Sequence, residues 1–244
     1  MVKNQVKRPI AARILSAIVV ATFASLGLVA QDPGLQAKMA QVKEAMAANR
    51  QALSRYTWQE QQTVSIKGEV KKQQLFQVQP GPDGKPQKTP LEALPQQEPS
   101  GGRLKRHIVE KKTEEYKDYA QRVAALAESY AHPEPGKLQQ AYEQGNAMLG
   151  SAGAPGELKL VIHNYVKPND NVTMIFSTAE KALQSLQIAS YLDDPKDAVN
   201  ISAQFDRLPD GTNHVSSMLV NGVSKELTVN IQNSNYQKTG ATGR

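Results

Sequence analysis

The second half of the chain is punctuated at near-regular intervals, and this limits its folds more than any other feature. Turn signals occur at Pro168-Asn169-Asp170-Asn171, Asp193-Asp194-Pro195, Pro209-Asp210-Gly211 and Asn221-Gly222. Between them, apolar residues recur with a period of two. The runs are Leu158, Leu160, Ile162; Val172, Met174, Phe176; Leu186, Ile188, Leu192; Val199, Ile201, Ala203, Phe205; Val215, Ser217, Leu219; and Leu227, Val229, Ile231. Such alternation sends one phase to each side of a strand. Parallel neighbours need a crossover of about a dozen residues, and these links are too short for one. About six consecutive antiparallel strands are expected.

The first half is mixed. Leu35, Met39, Val42, Met46 and Leu53 share one helical face, predicting a helix from about Leu35 to Ser54. Period two then takes over with Tyr56, Trp58, Val64 and Ile66, although Glu60 and Gln62 break the apolar series. Gly68 leads to a second strand, Val70–Gln79, carrying Phe76 and Val78. Pro82-Asp83-Gly84 reads as a turn before a short strand at Gln87–Leu91, and Pro90–Gly102 as a loop. A long helix is expected from Arg103 to Tyr130, with Tyr116, Tyr119, Val123, Leu126 and Tyr130 on its stripe. His132–Gly136 stops it, a short helix follows near Lys137–Leu149, and Gly150–Gly156 is a joint. The fold class is therefore α+β. An antiparallel sheet of eight or nine strands, curled into a half-barrel, is covered on one face by the N-terminal helix and a helical insert near 103–149.

The first thirty residues read as an address. Lys3, Lys7, Arg8 and Arg13 precede the apolar run Ile14–Ala30, without one acidic residue. This is the pattern of a secretory signal peptide, cut after Ala30. The rival is a retained anchor, but seventeen apolar residues fall short of the roughly 20 that span a bilayer. Residues 31–244 then form a single exported domain, with no stable membrane span after processing. The segment holds four of the 29 basic residues and none of the 23 acidic ones, so the pI near 9.3 is largely an export feature. Basic residues are not interleaved with aromatics, and no nucleic-acid partner is expected.

Chemistry is sparse. With no cysteine there is no disulfide, thiol nucleophile or cysteine-ligated metal. No nucleophile elbow, phosphate loop or zinc-helix motif occurs. His107, His132, His163 and His214 lack metal-ligand spacing and read as solvent-exposed. Asp193, Asp194 and Asp197 could offer oxygens to calcium, but Asp-Asp-Pro is foremost turn chemistry. Arg103, Lys105, Arg106, Lys111 and Lys112 form a basic patch that could meet an anionic headgroup, and otherwise a solvated helix face. No metal, cofactor or catalytic residue is assigned, and a hydrolase built from scattered carboxylates stays open only because spatial clusters are invisible in one sequence.

Two resemblances accompany this reading. Tyr56–Phe76, Gly102–Tyr130 and the stretches Tyr191-Leu192-Asp193-Asp194-Pro195-Lys196-Asp197 and Arg207-Leu208-Pro209-Asp210-Gly211-Thr212 are similar to a group of uncharacterised exported bacterial proteins. That likeness implies no function. In layout alone the chain resembles the periplasmic lipoprotein-carrier half-barrels, the outer-membrane lipoprotein-sorting proteins, in which a curved sheet holds acyl chains beneath helices. The resemblance implies a non-catalytic periplasmic or secreted carrier with a hydrophobic groove for lipid or an acylated partner. Met39, Met46, Trp58, Phe76, Phe176 and Phe205 are the candidate lining residues. The alternative is a cell-envelope structural or protein-interaction module without a cavity. The oligomeric state is left open.

Overall fold

Three of the four turn signals of the C-terminal half lie in hairpin turns, while Asn221-Gly222 ends a strand and the turn itself is Val223–Glu226. The computed structural model describes residues 33–81, 86–93, 103–131 and 135–239. The predicted signal segment, the Pro82-Asp83-Gly84 turn and the span 94–102 lie outside the described residues. The chain order is α1 (Pro33–Leu53), β1 (Tyr56–Ile66), β2 (Glu69–Pro80), β3 (Pro86–Ala93), α2 (Arg103–Ala131) and α3 (Pro135–Glu143). There follow β4 (Ala147–Ser151), β5 (Glu157–His163), β6 (Asn171–Ser177), β7 (Ala182–Tyr191), β8 (Ala198–Arg207), β9 (Asn213–Gly222) and β10 (Leu227–Lys238).

The ten strands form one open antiparallel sheet in the order β3-β2-β1-β10-β9-β8-β7-β6-β5-β4. Two meanders, β1–β3 and β4–β10, meet where β1 pairs with β10, Val64 lying opposite Val229. The helical insert between β3 and β4 thus carries the chain from one edge of the sheet to the other. Both edges are blunted against further pairing: β3 contains Pro86 and Pro90, and β4 has only five residues.

Spacings of four, three and four place Tyr119, Val123, Leu126 and Tyr130 on one face of α2, and all four are buried. They pack on Leu160, Ile162, Val172, Ile188, Val199, Ile201, Val220 and Leu227, the inward phase of β5 to β10. Each fully enclosed aliphatic side chain contributes about 1.5–3 kcal/mol. At β9 the approach is close enough to require glycine: a Cβ on Gly222 would lie 2.7 Å from the Tyr119 ring. Leu160 also borders Val42 and Met46 of α1, so both helices cover the same face.

Three expectations need correction. The short helix predicted to reach Leu149 stops at Glu143, and Ala147–Ser151 is a tenth strand pairing with β5. Gly145, at φ 71°, ends the helical path, and the hairpin partner supplies the hydrogen bonds that a helix would have made. On β9 the inward phase is Met218 and Val220, while Leu219 faces out. A bulge is the cause: Phe205 pairs with Val215 but Gln204 with Ser217, so Ser216 is the extra residue. His214 is buried, not solvent-exposed, because its ring lies 4.1 Å from that of Tyr236.

Candidate functional site

The helical spacing of Val42 and Met46 puts both on the sheet-facing side of α1. Beneath them lie Leu149 of β4, Leu158 and Leu160 of β5, Met174 and Phe176 of β6, and Leu183 of β7. The eight side chains are all apolar and enclose a cavity of about 10 Å³. That is room for about one water, and the wall offers it no polar partner. The place is a closed apolar seam. Val42 is the one buried residue among the described side chains of α1, with Met46, Asn49 and Leu53 half-buried. The polar tie is a reciprocal amide pair: Asn49 Nδ2 donates to the Asn213 carbonyl at 2.8 Å, and the Asn213 N–H donates to Asn49 Oδ1 at 2.6 Å.

Of the six candidate lining residues, the structure brings Met46 and Phe176 together in this seam. Trp58 is buried farther along the sheet, stacked on Tyr236 at 5.5 Å between ring centroids. Phe76 sits between Glu60 and Pro90 on neighbouring strands, and Phe205 lies opposite Val215 at the β9 bulge. The side chains of Met39 and of the basic patch, Arg103, Lys105, Arg106, Lys111 and Lys112, lie outside the described ones.

A second cluster gathers around Tyr236 on β10. Its ring stacks on Trp58, meets His214 and takes Tyr56 edge-on at 6.5 Å, while its hydroxyl donates to the Val215 carbonyl at 3.1 Å. Burial, with the Glu60 charge adding to it, pushes this phenol well above its ordinary range. Glu60 is itself only 5% exposed and accepts from Lys88 Nζ and Gln62 Nε2, both at 2.6 Å. A buried carboxylate survives only with partners of this kind. Nearby, Asp210 accepts from the Tyr56 hydroxyl at 2.6 Å, from Lys238 Nζ at 2.8 Å and from the Thr212 N–H at 3.0 Å. Lys238 first, then Tyr56 and Thr212, hold its carboxyl far below the usual carboxylate range. Both carboxylates are thus neutralised internally: Glu60 ties β1 to β3 within the first meander, and Asp210 ties β1 to the second. Glu60 and Gln62 left a mark in the sequence, as the interruption of β1's apolar phase.

The acidic loop after β7 proves to be an anchor for α2. Asp193 pairs with Arg122, Asp194 caps the Lys196 N–H at 2.8 Å, and Asp197 accepts from Tyr119 at 2.9 Å and Ser224 at 2.6 Å. The three carboxylates share no partner. Among the described residues no three of His, Asp or Glu gather into a metal-binding group. A stronger anchor, unforeseen, is Asp170, which is 1% exposed. It takes the backbone N–H groups of Tyr165, Val166 and Lys167 at 2.6, 2.8 and 2.8 Å and the Tyr130 hydroxyl at 2.6 Å. Tyr130 in turn accepts from Ser190 at 2.8 Å. Burial, and Asp170 beside it, raise the Tyr130 phenol well above its ordinary value.

Among the described residues no helix is long and apolar enough to cross a membrane. No protein-family model, curated protein or solved structure matches the chain.

Proposed function

We propose that the chain is an exported, non-catalytic binding protein, in which α1 lifts from the sheet to admit an acyl chain of a lipid or of an acylated partner. One observation carries this reading: an all-apolar seam runs between α1 and β4–β7, under a helix that, among its described side chains, buries Val42 and is tied by one amide pair. At about 10 Å³ the seam is closed without a ligand, so entry requires the helix to move and not merely side chains to turn. Met46 and Met174 suit a surface that repacks around ligands of varied length. Curvature of the sheet into a half-barrel, and a periplasmic or secreted location, belong to the same proposal.

The competing reading, an interaction module docking through α2, requires an exposed apolar patch on that helix. The large exposed apolar side chains among the described residues are Val70, Leu91, Met148, Leu219 and Val223, and none belongs to the described side chains of α2, residues 113–131.

The test is displacement of a fluorescent fatty acid, with native mass spectrometry of the purified chain. The expected result is a bound acyl chain, lost in Met174→Lys, which puts a charge into the seam. Absence of both co-purifying lipid and displacement would sink the proposal.

A further inference from the structure

The face of the sheet turned away from α1 and α2 is built from the other phase of each strand. On β6 to β9 that phase supplies Asn171, Thr173, Gln187, Asn200, Ser202 and Asn221, which line an open groove of about 340 Å³. The register sets them in two rows across the strands. Asn171, Ala189, Asn200 and Asn221 are successive cross-strand neighbours in one row, and Thr173, Gln187 and Ser202 in the other. Ala189 has no reach beyond its Cβ, so it forms the floor between longer side chains. The groove lies within the size range of small-ligand sites.

Its chemistry narrows the ligand. Charged residues make up 21% of the chain, yet none lines this groove. A phosphate, carboxylate or ammonium ligand would find no counter-charge here. An extended peptide is recognised through a sheet edge and apolar pockets, and this is a polar sheet face. Each Asn or Gln amide carries two donors and an acceptor, and each hydroxyl both donates and accepts. The side chains of Gln187 and Asn200 make no hydrogen bond within the described residues, whereas the Asn221 carbonyl takes the Thr228 hydroxyl at 3.1 Å and keeps its amide donors. Donors and acceptors interspersed at the strand spacing of about 4.8 Å match a linear array of hydroxyls. Leu219, 36% exposed and paired across from Ser202, adds an apolar rim suited to C–H faces.

We infer that this groove binds a neutral oligosaccharide laid across β6–β9. The site is on the opposite face from the α1 seam and stands whether or not that seam takes an acyl chain. The test titrates the full-length chain with chitohexaose, cellohexaose and maltohexaose, read by calorimetry and by the side-chain amide resonances of its Asn and Gln residues. At least one hexasaccharide is expected to bind and to shift the amides of Gln187, Asn200 and Asn221. Ala189→Arg, which fills the floor, and the double change Asn200→Ala with Asn221→Ala should each weaken binding about tenfold or more, with unchanged melting temperatures. The inference is overturned if none of the three sugars binds at millimolar concentration, or if binding survives both variants. It also fails if a hexamer of galacturonate or a neutral Gly-Ser peptide occupies the same amides more tightly. Because the amide shifts are read on the unaltered chain, a variant that fails to fold does not remove the test.

Discussion

Helices α1 and α2 cover the same face of the same sheet by different means. The second buries Tyr119, Val123, Leu126 and Tyr130, and these two buried tyrosines donate into carboxylates of the β7–β8 and β5–β6 loops. The first buries Val42 and relies on Asn49 gripping one backbone unit at the start of β9. Apolar burial carries no direction, whereas a phenol aimed at a fixed carboxylate determines where along the sheet a helix must stop. Among the described side chains, α2 is located by two phenol–carboxylate bonds to separate loops, and α1 by a single amide pair. A fold that needs a rigid scaffold and a removable cover would divide its helices in this way.

The largest effect that separates them should come from Asp170→Ala. It strands three backbone N–H groups and the Tyr130 hydroxyl in a buried place, with an expected loss of about 3–4 kcal/mol. Urea unfolding at constant slope measures it, and a loss under about 1 kcal/mol would mean that α2 is no better located than α1. Next come matched truncations. Val123→Ala should cost about 2 kcal/mol and Val42→Ala about 1, since cost follows how completely the neighbours enclose the site. Equal losses would erase the distinction.

A third effect depends on pH. A phenol whose pKa is higher in the folded state contributes fully below its unfolded value of about 10, and that contribution is lost as pH rises through the folded value. Tyr130 is such a group. Tyr130→Phe should lose about 1 kcal/mol at neutral pH, and the gap to the unaltered protein should close above about pH 10. Melting curves across that range decide it, and a gap that stays constant would count against the anchor. The smallest effect is local. Asn49→Ala should cost about 1 kcal/mol or less and speed hydrogen exchange in α1 while leaving α2 unchanged. Acceleration in both helices would show that they open as one unit.

Much of the sheet was legible because strands announce themselves twice, through alternation and through turn chemistry. Pro209-Asp210-Gly211 and Asp193-Asp194-Pro195 each stand where a hairpin turns, between β8 and β9 and between β7 and β8. β4 was missed because Ala147, Met148 and Leu149 are good helix formers, and only pairing with a distant strand makes them extended. The phase of β9 was misread because a bulge is a property of two strands together. The acidic loop was read as a turn, and its second use stayed hidden because Tyr119 lies 78 residues from Asp197. The groove on the open face did leave a trace, the amide and hydroxyl residues that alternate with apolar ones at Asn171, Thr173, Gln187, Asn200, Ser202 and Asn221. The row formed by those residues appears only once the strands are paired.

The pairing of β1 with β10 also has a consequence for how the chain folds. Tyr56 lies opposite Lys238, so the strand that leaves the first helix pairs locally with β2 but finds its second neighbour only in the last strand described. Until that strand exists, β1–β3 and β4–β9 are two separate meanders with an unpaired edge each. Contacts of such long sequence separation slow folding. They also make completion conditional on β10, so its loss would sever the sheet near its middle instead of trimming its rim. During synthesis, then, the sheet cannot close until β10 has emerged.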